Sequence, residues 1–141
     1  RCTLSEYVDI KTEFKNLDAL IDALQECGGW TREQIETHAE PQHLYGYHGD
    51  RREQTAHVIV RRQFVGYAAN DIGFYREPRA DKYRAVISQF DHGRYGKDWQ
   101  GRLAQSYAYH TIRRQQARMG RTVARQTLPN GKMIVTVGGI R

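Results

Sequence analysis

The chain has 141 residues, 39% of them hydrophobic and 27% charged, and carries a net charge of +6. That length fits one domain spanning residues 1–141, with enough core to fold without staples. The longest apolar runs, His57 to Val60 and Met133 to Val137, are strand-sized, which excludes a membrane-spanning helix, and the opening RCTLSEYVDI has no signal-peptide core.

Two cysteines, Cys2 and Cys27, are too few for a disulfide framework. They point to a reducing, cytoplasmic-type compartment, although a Cys2–Cys27 bridge is geometrically open. A start at Arg1 leaves room for a native N-terminus that extends further. The charge is unevenly spread. Residues 1–90 hold 12 Lys+Arg against 14 Asp+Glu, net −2, and residues 91–141 hold 10 against 2, net +8. A basic C-terminal third predicts an acidic partner, whether nucleic acid, an anionic surface or an acidic protein.

In chain order, alternation from Tyr7 to Phe14 predicts a first strand with Val8, Ile10 and Phe14 inward. Asn16 then caps a helix in which Leu17, Leu20, Ile21, Leu24 and Cys27 form one stripe; Gly28-Gly29 ends it, and Asp18, Asp22 and Glu26 face outward as solvated charges. Trp30 to Glu40 reads as a polar connection with a helical turn near Arg32. Strands are predicted from Leu44 to Tyr47, Ala56 to Gln63, Asn70 to Arg76 and Tyr83 to Phe90, separated by turns at Gly49 and Gly66.

The most conspicuous stretch, KDWQGRLAQSYAYHTIRRQQARMGRTVAR from Lys97 to Arg125, predicts a long helix ending near Gly120. Leu103, Ala104, Tyr107, Ala108, Thr111, Ile112, Gln115 and Met119 share its packed side, with Arg102, Tyr109, Arg113 and Gln116 opposite. A hairpin follows, Thr122 to Leu128 and Lys132 to Val137 around Pro129-Asn130-Gly131. The order predicts an α+β domain: a single antiparallel sheet with two helices packed on one face and a C-terminal β-hairpin.

Several blocks together resemble the hypothetical chloroplast reading frame thirty-five family of cyanobacterial, plastid and phage-borne proteins, a domain of unknown function. They are IKTEFKNLDALIDAL (Ile10 to Leu24), GYHGD (Gly46 to Asp50), AHVIVRR (Ala56 to Arg62), NDIGF (Asn70 to Phe74), RLAQSYAYHTI (Arg102 to Ile112) and LPNGKMIVTV (Leu128 to Val137). The resemblance implies one compact domain in a bacterial cytoplasm, plastid stroma or phage-infected cell. It implies no activity.

No catalytic motif is present. Asp71, Asp91 and the Ser106–His110 pair, four apart on a helix, are the residues with any capacity for acid–base or nucleophilic work. His43, His48 and His57 lack metal-ligand spacing, so neither a metal nor a cofactor is expected. Binding has more support. Arg94, Lys97, Arg102, Arg113, Arg114, Arg118, Arg121 and Arg125 supply phosphate contacts, and Tyr95, Trp99 and Tyr109 supply rings to stack on unpaired bases. The same arginines also suit a helix C-terminus, where cations meet the negative pole of the dipole.

The expectation is a non-enzymatic binding or accessory module whose Arg-rich helix contacts nucleic acid. The alternative is an assembly subunit of a larger complex that offers this surface to an acidic protein. On that reading, Arg113→Glu with Arg114→Glu abolishes binding and spares the fold.

Overall fold

The computed structural model of the protein describes residues 3–6 and 13–140, with the backbone alone at residues 3–6, 139 and 140. The leucine stripe forms α1 (Leu17–Gly28), capped by the Asn16 side chain, which accepts the Ala19 N–H. Gly29, at φ +71°, takes the left-handed conformation that ends it. Four strands follow: β2 (Ile35–Tyr45), β3 (Arg51–Val60), β4 (Ile72–Glu77) and β5 (Lys82–Val86), antiparallel and in that spatial order. Between β3 and β4 lies a single helical turn, α2 (Arg62–Val65); a second turn, α3 (His92–Tyr95), precedes the long α4 (Lys97–Ala117). α4 runs about 30 Å at 1.5 Å per residue.

One face of the four-stranded sheet carries Val58, Val60, Ile72 and Phe74 into a core shared with Leu20 and Leu24 of α1 and Leu103, Ala104 and Tyr107 of α4. The other face holds a smaller cluster of Leu44, Ala56 and Ile59 beside Val86. Gly73 is required there by space: a Cβ on it would lie 2.5 Å from Ala56 Cβ and 3.0 Å from a Leu44 methyl. Tyr107 anchors α4 to the start of α1, its phenolic oxygen accepting the N–H groups of Lys15 and Asn16, both at 2.8 Å.

Trp30, Tyr95 and Trp99 form a three-ring cluster with centroids 5.0–6.0 Å apart. Each polar tip donates to a carbonyl of another element: Trp30 to Phe64 and Tyr95 to Val65, both in α2, and Trp99 to Cys27 in α1.

The α+β class, the antiparallel pairing, the two helices on one face and the C-terminal hairpin are as the sequence predicts. The single sheet is not. The hairpin, β6 (Arg121–Thr127) and β7 (Met133–Ile140), joins β1 (Thr3–Glu6) in a separate sheet of order β1-β7-β6. It follows the length of α4, to which Gln105 ties its turn by donating to the Gly131 carbonyl, so it does not extend the meander.

The first strand predicted over Tyr7 to Phe14 lies outside the described residues up to residue 12; Phe14 makes an isolated bridge to Tyr83 on β5. β2 begins at Ile35, well before the predicted Leu44. Its polar run has no apolar alternation because it is an edge strand, whose register shifts between Thr37 and Gln42 around Pro41, a residue with no N–H to pair. β3 starts at Arg51 and stops at Val60, and β5 stops at Val86, where a 3-10 turn over Gln89–Asp91 takes over.

Candidate functional site

α4 changes its fastening midway. Up to Tyr107 it is held by buried side chains, and beyond His110 by the ion pairs of Arg113 and Arg114. Asp22 and Glu26, one turn apart on α1, meet the arginines of α4 and β6. Arg114 grips Asp22 through both oxygens, Nε to Oδ2 at 2.6 Å and Nη2 to Oδ1 at 3.1 Å, and Arg113 Nη2 adds a bond to Oδ2 at 3.0 Å. Arg125 engages both oxygens of Glu26 at 2.8 Å and lies over the Tyr109 ring, 4.1 Å from its centroid. His110 Nε2 bonds Glu26 Oε1 at 2.9 Å.

Burial alone would raise both carboxyls. The bonds from Arg114 to Asp22, and from Arg125 and His110 to Glu26, outweigh it and hold both below their ordinary values. Burial lowers His110 despite its carboxylate neighbours, so the ring is neutral at pH 7 and the arginines carry the pairing. Asp22 and Glu26 are therefore not the solvated charges the sequence predicts. Tyr109, Arg113 and Gln116, expected on the outer face of α4, are partly covered, and only Arg102 of that set is exposed, while Gln115 and Met119, expected to pack, are exposed. An acidic i, i+4 pair on α1 in a chain with an Arg-rich helix is the signal that could have revealed this seam.

The other predicted cations stand apart from it. Arg94, Lys97, Arg102 and Arg118 are exposed, and Arg121 bonds only the neutral Gln116 side chain, at 3.4 Å. None of these five has a carboxylate partner among the described residues. Of the rings expected to stack on bases, Tyr95 and Trp99 are buried in the three-ring cluster and Tyr109 lies beneath Arg125, so none of the three is free.

The residues considered for catalysis have structural duties. The Asp71 side chain, 1% exposed, accepts the N–H groups of Tyr45 and Arg62 at 2.7 Å and Arg61 Nη1 at 2.9 Å. Arg61 passes the chain of bonds to Glu36, and Glu36 to His38. Asp91 accepts from the Asn70 amide, whose own oxygen receives the Tyr47 N–H. NDIGF and GYHGD are thus stitched together. Ser106 is buried near the Cys27 thiol, and His110 bonds Glu26, so the two make no pair. His43 Nδ1 bonds the Arg52 carbonyl and His57 Nδ1 accepts the Arg76 N–H. Among the described residues no group of three or more His, Cys, Asp or Glu is placed to hold a metal ion, and no helix is long and apolar enough to cross a membrane.

Residues 31–135 match a family model described as a protein of unknown function, DUF1257. The chain belongs to the DUF1257 family. No curated protein and no solved structure matches it. The DUF1257 match begins beyond α1, so it contains the arginines of the seam but not Asp22 and Glu26.

The DUF1257 region also contains a surface that periodicity does not mark. Tyr47, Phe64, Tyr67 and Phe90 are all exposed, Tyr67 fully at 103% and Phe90 at 84%. They belong to three segments joined at one end of the molecule by the Tyr47–Asn70–Asp91 bonds.

Proposed function

We propose that the protein is a non-enzymatic binding or accessory module that docks a polyanionic partner, nucleic acid first, along the surface of α3, α4 and the start of β6. The observation that carries this reading is the set of five cations without a carboxylate partner among the described residues: Arg94, Lys97, Arg102, Arg118 and Arg121. Arg113, Arg114 and Arg125 support that surface from within the seam and keep part of their side chains exposed. Arginine and lysine that lack a carboxylate partner are the groups whose counterions a phosphate backbone would displace.

The alternative is an assembly subunit that offers the same surface to an acidic protein, since arginine and tyrosine are also typical of interface centres. Within DUF1257, the closer likeness to the hypothetical chloroplast reading frame thirty-five family, and with it a bacterial cytoplasm, plastid stroma or phage-infected cell, is part of this proposal. A pull-down from lysate at moderate salt, divided into nuclease-treated and untreated halves, tests it. Material lost on nuclease treatment is the expected result; a discrete protein set that survives would replace this reading with the alternative.

A further inference from the structure

Four aromatic side chains are exposed at the end where the β2–β3 turn, the α2 segment and the turn before α3 converge: Tyr67 and Phe90 stand in solvent, while Tyr47, against the His48 ring, and Phe64 are partly covered. Exposed phenylalanine is costly in water, and two such residues, Phe64 and Phe90, occur here beside Tyr47 and Tyr67. The segments beneath them are fixed. Asp71 holds Tyr45 and Arg62, Asn70 bonds Tyr47 and Asp91, Trp30 donates to the Phe64 carbonyl, and Tyr95 donates to that of Val65. The rings are therefore carried on ordered backbone.

The charge around them is complementary to phosphate. Of the local carboxylates, Asp71 is paired with Arg61 and Asp50 with Arg52, while Asp91 is bonded by the neutral Asn70 amide. Arg62 donates to the Tyr47 carbonyl, Arg94 lies over the Tyr95 ring at 5.4 Å, and Lys97 is exposed beside Asp98 in the first turn of α4. No carboxylate neutralises Arg62 or Arg94 among the described residues.

We infer that this end is a stacking platform for the unpaired bases of a single-stranded nucleic acid, with Tyr67 and Phe90 as the principal rings and Arg62, Arg94 and Lys97 along the backbone. The inference rests on the nucleic-acid reading above and names the form of nucleic acid. A ring that stands clear of the surface fits the flat face of a base. Bases in a duplex are stacked on one another and offer edges rather than faces, so a duplex gains nothing from these rings.

The experiment is a fluorescence anisotropy titration of the full chain with labelled oligo(U) and, in parallel, with a labelled duplex. Tyr67→Ala combined with Phe90→Ala is expected to weaken oligo(U) binding about tenfold or more, since stacking acts on each base separately. Duplex binding and the melting temperature stay unchanged because both rings are exposed. Tyr67→Phe with Phe90→Tyr restores oligo(U) affinity. If the alanine variant binds oligo(U) as the parent does, the platform is refuted while the general nucleic-acid reading stands. If the parent binds neither probe, both fall.

Discussion

Asp71 shows how a single residue can be mistaken for chemistry. A carboxylate in the block NDIGF, between a turn and a strand, is what a general base looks like in a sequence. In the fold it accepts three bonds from Tyr45, Arg61 and Arg62 and faces no solvent. Asp71→Ala leaves Arg61 with one carboxylate fewer and two N–H groups without an acceptor. It is expected to cost about 3 kcal/mol of stability, measured by urea unfolding; a loss below about 0.5 kcal/mol would mean that Asp71 is dispensable to the fold. Asn70, Asp71 and Gly73 were legible as a special block. Their reasons were not, because each depends on a partner far away in the chain: Tyr47, Tyr45 and Ala56.

At the scale of elements, α1 was legible from its leucine spacing, its Asn16 cap and its glycine stop, and the hairpin from Pro129-Asn130-Gly131. All four signals are local. The division into two sheets and the early start of β2 were not legible, since edge strands need little apolar patterning and a helix of 21 residues can carry a hairpin away from the sheet.

The seam between α1 and α4 changes the meaning of the arginine helix. Arg113→Glu with Arg114→Glu sets two new carboxylates against Asp22 rather than merely repainting a surface. The expected loss is about 1–3 kcal/mol, between the values for exposed and buried pairs. The sign of its pH dependence follows from the lowered carboxyls. Asp22 and Glu26 titrate below their ordinary 3.8 and 4.5, so the stability they add is complete above those values and is lost as the pH falls through the folded ones. His110, lowered from 6.5 by burial, adds stability above that value and loses it in the same direction on acidification. Melting curves of parent and variant are therefore expected to differ most near neutral pH and to converge in acid. A constant difference across the range would place the effect outside the seam.

For the molecule as a whole, the +8 of residues 91–141 was legible, but its distribution was not. Composition does not distinguish Arg114, which is bound to Asp22 on both oxygens, from Arg118, which is exposed. Folding sorts the predicted cations into three that fasten α4 and β6 to α1 and five without a carboxylate partner among the described residues. The proposed interface is the latter set.

The most direct measurement is the affinity for a labelled duplex as a function of salt, for the parent and for Arg102→Gln combined with Arg118→Gln and Arg121→Gln. The parent is expected to lose affinity linearly on a log–log scale, and the variant to keep its fold while its slope falls by about one unit for each phosphate contact removed. Affinity that is flat in salt, or a slope the three substitutions leave unchanged, would contradict the account.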